Sequence, residues 1–118
     1  MKYVQKADSY KRLWSSIMNR REYTSTNEWG CHELAARFYE VVLLSKQLLS
    51  SKGFNHTSHK QIRESLKDVD KRLAVLYKLL FDASREIRYE KIRVSKQYRK
   101  EFIDNYSKAL KILEKILK

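Results

Sequence analysis

The sequence predicts an all-α protein: a single domain over residues 1–118, folded as a four- to five-helix up-and-down bundle. A length of 118 residues suits one hydrophobic core. The chain has no proline and only two glycines, so little in it interrupts a long helix. Apolar residues also recur at three- and four-residue steps along most of the chain, which is the period of an amphipathic helix.

Residues 2 to about 21 form the first predicted helix, with Tyr10, Trp14 and Ile17 on its apolar stripe. A basic amphipathic helix also suits a membrane surface or a presequence, but the aromatic stripe favours packing within a bundle. Residues 22–30 lack helical periodicity and are predicted to be a connection.

In that connection we expect Trp29 to cover the start of the second helix as a hydrophobic lid. Its polar residues include three that are common at helix N-termini, and any one of them could cap the second helix. These candidate caps are Ser25, Thr26 and Asn27.

The second helix, over residues 31–52, is the most apolar periodic stretch and is predicted to be the central one. Leu34, Phe38 and Leu48 lie on its buried stripe. Gly53 then supplies a stop, because glycine enters the left-handed backbone conformation at little energetic cost.

Three further helices follow a short turn over residues 53–57. Ser58 is a good N-cap for a short third helix, which we expect to form a cross-piece. A charged junction around Asp70 leads into the fourth helix, which loses its apolar character over residues 88–93. Ser95 offers the cap for a fifth helix that continues to the C-terminus.

The composition is strongly basic. Twenty-six Lys and Arg against 14 Asp and Glu give a formal net charge of +12, which predicts attraction to nucleic acid, an acidic protein or an anionic surface. The single Cys31 cannot form an internal disulfide, and no signal-peptide hydrophobic region is present, so a cytoplasmic location is expected. No apolar run approaches the length of a membrane span.

The strongest local signal is a basic and aromatic run over residues 85–100, with seven positive and two negative charges. Arginine matches phosphate oxygens with two parallel hydrogen bonds, and tyrosine rings stack on bases. The candidate phosphate ligands are Arg85, Arg88, Tyr89, Lys91, Arg93 and Lys96, together with Arg37 from the second helix. The alternative interpretation is a solvated helix junction whose arginines pair with Glu86, Glu90 and Glu101.

Arg37 lies between Ala36 and Phe38 on the most apolar helix, so its charge requires a partner. In one interpretation it joins Arg85 and Tyr89 at a groove for an anion. In the other it pairs with a nearby carboxylate, for which the candidates are Glu33, Glu40 and Asp82.

No common catalytic apparatus is visible, and neither a cofactor nor a metal site is predicted. Cys31, His32, His56 and His59 could supply tetrahedral zinc ligands, but the adjacent Cys-His pair has the wrong spacing. His59 suits a capping or hydrogen-bonding role instead. For RNA cleavage, His59 with Arg85 would be the fallback acid-base and phosphate-binding pair.

The stretch AARFYEVVLLSKQLLSSKGFNHTSHK resembles the pattern of prokaryotic HEPN domains. That pattern comprises a small residue, an arginine and an aromatic pair, then two leucines, a glycine turn and a Ser-His pair. The matching positions are Ala36, Arg37, Phe38, Tyr39, Leu48, Leu49, Gly53, Ser58 and His59, and the stretch SREIRYEK resembles the family's later cluster through Arg85, Arg88 and Tyr89.

The resemblance implies a helical bundle that commonly dimerises and is often encoded beside a minimal nucleotidyltransferase as a toxin-antitoxin pair. Some HEPN members are metal-independent RNases, in which an arginine is followed, after four to six residues, by a histidine on the same helix. None of His32, His56 and His59 follows an arginine in that way. The remaining implied role is binding of a nucleotide, a nucleic acid or a partner protein.

Eight tyrosines are more than one small core requires. Tyrosine is enriched at subunit contacts, so the sequence also predicts a homodimer through helices one and five or two and four. A third functional hypothesis is a structural adaptor whose basic face binds an acidic protein.

Overall fold

The computed structural model describes residues 2–90 and 93–118 and contains, within them, five helices and no strand. This confirms the predicted all-α bundle. The helices are α1 (Lys2–Met18), α2 (Glu28–Ser51), α3 (His59–Val69), α4 (Lys71–Tyr89) and α5 (Lys96–Leu117).

The second helix is central, as predicted, because α2 packs against each of the other four helices. Helix α4 also packs against α3 and α5, whereas the backbone of α1 approaches only that of α2. The core between α2, α4 and α5 includes the fully buried Phe38, Tyr77 and Leu113. None of the helices in the described part of the chain has the length and apolar character that a membrane crossing requires.

Short polar side chains begin four of the helices, because each accepts a hydrogen bond from an otherwise unpaired backbone N–H of the first turn. Asn27 caps α2, Ser58 caps α3 and Ser95 caps α5, which confirms the last two predictions and selects one of the three candidates for α2. Asp70 ends α3 and caps α4 through a 2.9 Å bond from the Leu73 N–H to its Oδ1.

The connection between α1 and α2 is shifted relative to the prediction. Helix α1 ends at Met18, three residues early, and α2 begins at Glu28, three residues early. Trp29 therefore belongs to the first turn of α2 and is not a lid outside it, and its ring lies 4.0 Å from the Arg20 guanidinium carbon. Gly30 is also helical.

Asn27 and Gly30 explain this shift. The Asn27 side chain accepts hydrogen bonds from two backbone N–H groups of the first turn, while its own amide donates to the Glu22 carbonyl at 2.7 Å. A Cβ atom on Gly30 would lie 2.6 Å from the Ser25 carbonyl oxygen, so the connection folds closely over α2 only because this residue has no side chain. After α2, Gly53 has a φ of +88°, as its predicted role as a stop requires.

Candidate functional site

Four residues of α4 meet one side chain from α2 and one from α3, and we call this group the Arg88 cluster. Its members are Tyr39, His59, Phe81, Arg85, Arg88 and Tyr89. The structure thus brings together three of the predicted phosphate ligands and the histidine of the fallback pair. The cluster lies where α4 ends, beside the first turn of α3.

Arg88 is held in place by two interactions that leave part of its guanidinium available. One N–H of the guanidinium donates to the Tyr39 hydroxyl, and Nε donates to the Ser84 carbonyl at 3.3 Å. The guanidinium carbon lies 5.2 Å from the ring centroids of both Tyr39 and Tyr89, within the range of cation-π attraction. Within residues 2–90 and 93–118, Nη2 makes no hydrogen bond, so its two protons can reach a ligand.

Arg85 and His59 both lie against Phe81. The Arg85 guanidinium carbon is 5.9 Å from the Phe81 ring centroid, and the His59 ring centroid is 4.7 Å from it. Arg85 is exposed, and it forms neither an ion pair nor a hydrogen bond with another side chain of the described chain. The two members of the fallback pair therefore lie against the same phenylalanine ring.

A buried tyrosine determines which nitrogen of His59 carries the proton. His59 Nδ1 lies 2.7 Å from the hydroxyl of Tyr77, whose side chain is completely buried. Burial raises the pKa of Tyr77, so its hydroxyl remains protonated. A buried O–H without an acceptor would be destabilising, and Nδ1 is the acceptor in reach. We conclude that Tyr77 donates to Nδ1 and that neutral His59 carries its proton on Nε2, which faces away from Tyr77.

His59 is also neutral more readily than an ordinary histidine. Burial, followed by the positive charges of Arg88 and Lys46, lowers the pKa of His59 from its usual value of 6.5. Together with the tautomer, this makes His59 a neutral hydrogen-bond donor within the Arg88 cluster.

The cluster is rich in cations and lacks acidic partners within the described chain. Neither Arg85 nor Arg88 forms an ion pair with any of Glu86, Glu90 and Glu101, so the alternative interpretation as a charge-neutralised junction receives no support. Glu86 instead accepts a 3.3 Å hydrogen bond from the Tyr98 hydroxyl. The Tyr89 side chain is 70% exposed, so its ring is available for stacking.

Arg37 lies in a different environment, on the side of α2 that faces α1 and α5. Its Nε donates to Glu33 Oε2 at 2.7 Å, which confirms the interpretation in which Arg37 pairs with a nearby carboxylate. Its guanidinium also lies 3.6 Å from the Trp14 ring centroid and 5.0 Å from that of Tyr106. The structure does not bring Arg37 together with Arg85 or Tyr89.

Glu33 and Glu40 organise this buried polar layer. Completely buried Glu33 accepts hydrogen bonds from Arg37, from Arg99 Nη2 at 3.0 Å and from the Tyr23 hydroxyl at 2.5 Å. Burial and the Glu33 carboxylate raise the pKa of Tyr23 to about 12. Glu40 Oε1 accepts from the Trp14 indole N–H at 2.9 Å and from the Tyr106 hydroxyl at 2.5 Å.

This layer contains two carboxylates and two guanidinium groups, so its formal charges balance. Each charged member has a partner of the opposite sign or a hydrogen bond, so the arrangement is suited to joining helices. The buried Arg99 Nη1 is the exception within the described residues, since it makes no hydrogen bond there.

The other predicted phosphate ligands are dispersed. Lys91 lies outside the described residues, and Arg93 is exposed. Lys96 lines a cleft of about 370 Å³ at the start of α5, together with Arg99 and Lys100. Because Arg99 bonds to Glu33 on the Arg37 side of α2, the basic run over residues 85–100 divides into two groups.

The zinc-ligand candidates do not converge. His56 Nε2 bonds to Ser65 Oγ at 2.6 Å and His59 bonds to Tyr77, while His32 lies 3.6 Å from Glu28. In the described part of the chain, no three residues of the types His, Cys, Asp and Glu come close enough together to hold a metal ion. Burial, then Glu28, raises the pKa of Cys31, so its thiol is less reactive than an ordinary one.

Sequence reasoning did not include Tyr39, Phe81 or Tyr77 in the site. The aromatic pair Phe38 and Tyr39 was a usable signal, because adjacent residues of a helix point about 100° apart. Phe38 accordingly enters the core, while Tyr39 reaches both Tyr10, at 5.4 Å between ring centroids, and Arg88. Comparison with known proteins adds no assignment: no protein family, no curated protein and no solved structure matches this chain.

Proposed function

We propose that this chain is a HEPN-like binding module whose Arg88 cluster binds single-stranded RNA. The sequence resemblance suggests the family, and the bundle of five helices is compatible with it. The observation that supports binding most directly is the pairing of Arg85 and Arg88, neither neutralised by a carboxylate of the described chain, with the exposed ring of Tyr89.

Each part of the cluster suits one part of a nucleotide. Arg85 and the Nη2 of Arg88 can donate to phosphate oxygens, and the Nε2–H of neutral His59 offers a further donor without a net charge. The Tyr89 ring can stack on a base, and stacking of this kind accepts any of the four bases. Binding would therefore depend strongly on salt and weakly on base identity.

The openness of the surface favours a strand over a single enclosed nucleotide. Arg85 and Tyr89 are both exposed, so the cluster presents a cation and an aromatic ring directly on the surface. A small nucleotide generally requires a concave pocket, whereas a single strand binds along a cationic surface with aromatic rings.

A second candidate is a metal-independent RNase, because His59 lies near Arg88 and against the same Phe81 ring as Arg85. Cleavage through the 2′-hydroxyl requires a base with a free lone pair close to the substrate. In His59 the lone pair of Nδ1 is occupied by the Tyr77 hydroxyl, and Nε2 bears the proton. This geometry favours binding over cleavage.

The resemblance also motivates two partner proposals, a minimal nucleotidyltransferase in a toxin-antitoxin pair and a second copy of the chain. The case for a homodimer from tyrosine content is weaker than the sequence suggested, since most tyrosines have a partner within the chain. The tyrosines whose hydroxyl or ring makes such a contact are Tyr10, Tyr23, Tyr39, Tyr77, Tyr98 and Tyr106.

The test is fluorescence anisotropy with a labelled single-stranded RNA of mixed sequence. The double variant R85E/R88E should lower affinity at least about tenfold, because it reverses both phosphate-binding charges. The matched control K108E/K111E makes the same change in net charge at two exposed lysines of α5 and should lower affinity much less. Equal losses in the two double variants would contradict a specific site.

Two further measurements separate binding from cleavage and base stacking from charge. Tyr89→Ala should weaken binding by about three- to tenfold while leaving the slope of affinity against salt unchanged, since it removes stacking without removing a charge.

RNA incubated with the protein and a chelator should remain intact. Cleavage that disappears in His59→Ala would establish the RNase candidate in place of the binding module.

A further inference from the structure

A groove between α3 and α4 combines an apolar floor with a cationic rim, at positions closer to the start of α4 than the Arg88 cluster. It has a volume of about 460 Å³. Its cations are Arg63 and Lys67 from α3 and Lys71 and Lys78 from α4, and its apolar residues include Val75 and Leu79.

The floor is apolar because two large side chains of α4 face solvent. Val75 is 60% exposed and Leu79 is 47% exposed, although the other leucines of α4 are buried. Val75 and Leu79 are four residues apart, so they lie on one face of the helix and form a continuous strip. An exposed apolar strip with a polar rim is typical of a protein-binding surface.

The rim carries four positive charges, and only one of them is paired within the groove. Lys78 lies 3.8 Å from Asp82, whereas Arg63, Lys67 and Lys71 form no ion pair with a carboxylate of the described chain. The α4 part of the groove runs from Lys71 to Asp82, which at 1.5 Å per residue is a length of about 16 Å, or three helical turns.

We propose that this groove binds an acidic amphipathic helix of a partner protein. The apolar side chains of such a helix, at spacings of three and four residues, would pack on Val75 and Leu79, while its carboxylates would pair with the unpaired cations of the rim. A bound helix of about three turns matches the length of the groove.

Charge complementarity argues for this occupant over the alternatives. A second copy of the chain would bring two basic surfaces together, since the net charge is +12. RNA would satisfy the rim but would leave the Val75 and Leu79 side chains without apolar contacts. The groove thus requires an anionic ligand that is also apolar on one face.

The experiment is selection from a displayed library of random peptides of about 14 residues against the full chain. We expect enrichment of peptides with Leu, Ile or Phe at helical spacing and with Asp or Glu between them. Against V75E/L79E this enrichment should disappear, and a synthetic copy of an enriched peptide should bind that variant at least about tenfold more weakly. Because both altered residues are exposed, the variant should retain the circular dichroism and thermal transition of the original chain.

The matched control is L13E/F54E, which introduces the same two charges at exposed apolar residues that do not line the groove and should bind the peptide normally. Peptides that are enriched equally on V75E/L79E, or that lack acidic residues, would overturn the proposal. So would binding to phosphatidylserine vesicles that requires Val75 and Leu79 while no peptide is selected, because the occupant would then be a membrane surface. RNA affinity should be nearly unchanged in V75E/L79E, so this proposal and the RNA proposal can fail separately.

Discussion

The hydrogen bond between Tyr77 and His59 gives one histidine a defined tautomer and a reduced tendency to ionise. The sequence suggested a capping or hydrogen-bonding role for His59 at the start of α3. The partner could not be identified from the sequence, because it lies 18 residues away on another helix. Local patterns indicate that a polar residue needs a partner, whereas the identity of that partner depends on how the helices pack.

The lowered pKa of His59 predicts a pH dependence of stability. As the pH falls below about 6.5, the unfolded chain takes up a proton at this position before the folded chain does, so the folded state loses stability. Urea unfolding should therefore give a smaller free energy of unfolding at about pH 5.5 than at about pH 7.5. In His59→Gln, whose amide oxygen can accept from Tyr77, the difference should shrink. An unchanged difference in this variant would show that His59 is not the responsible group.

Gly30 provides a test in which two effects have opposite signs. Alanine is preferred to glycine in a helix by up to about 1 kcal/mol, which alone would make Gly30→Ala stabilising. The added methyl group would meet the Ser25 carbonyl oxygen at 2.6 Å, so we expect a net destabilisation of about 1–3 kcal/mol instead. Thermal and urea unfolding measure the difference. A stabilised variant would mean that the connection can move away from α2 at little energetic cost.

At the scale of the helix, α2 has an apolar packing face and a polar packing face. One face presents Phe38 to the apolar core, and the other presents Glu33, Arg37 and Glu40 to α1 and α5. The apolar stripe and the need for an Arg37 partner could be predicted from spacing alone. The contribution of Arg99 could not, since it comes from α5, 66 residues along the chain from Glu33.

The buried layer makes Glu33 the most sensitive charge on α2. Glu33→Gln would leave Arg37 and Arg99 without their carboxylate, and we expect a loss of about 3–5 kcal/mol in the free energy of unfolding. Glu28→Gln, on the exposed first turn of the same helix, should change stability by less than about 0.5 kcal/mol. Urea denaturation of the two variants provides the comparison. Similar losses would indicate that the charge of α2 matters in general and the buried layer does not.

The helix boundaries show which helix ends can be predicted from neighbouring residues and which cannot. Ser58, Asp70 and Ser95 could be recognised as caps or junctions because their side chains act on the backbone of the next turn. The start of α2 was placed too late because Trp29 and Gly30 do not suggest a helix by themselves. Contacts with residues 22–25, which fold over that turn, make helix the favourable conformation there.

Across the whole molecule, the fold separates charges that the sequence places side by side. The all-α bundle and its central helix could be predicted from periodicity, and a cationic site at the end of α4 from charge density. The separation of Lys96 and Arg99 from Arg88 could not be predicted, since it depends on which side of α2 each one reaches. Part of the positive charge is thereby distributed among the Arg88 cluster, the α3-α4 groove and the cleft at the start of α5.

The packing of α1 has a consequence for the order in which this molecule unfolds. Among the described helices only α2 supports its backbone, and just two of its residues, Ala7 and Ile17, are apolar and buried. Much of its remaining attachment is the indole of Trp14, which bonds to Glu40 and covers Arg37. Transient detachment of α1 would admit water to those ionic groups while the core between α2, α4 and α5 stays closed. Unfolding would then begin with hydration of the buried polar layer, and the apolar core would be disrupted only in a second step.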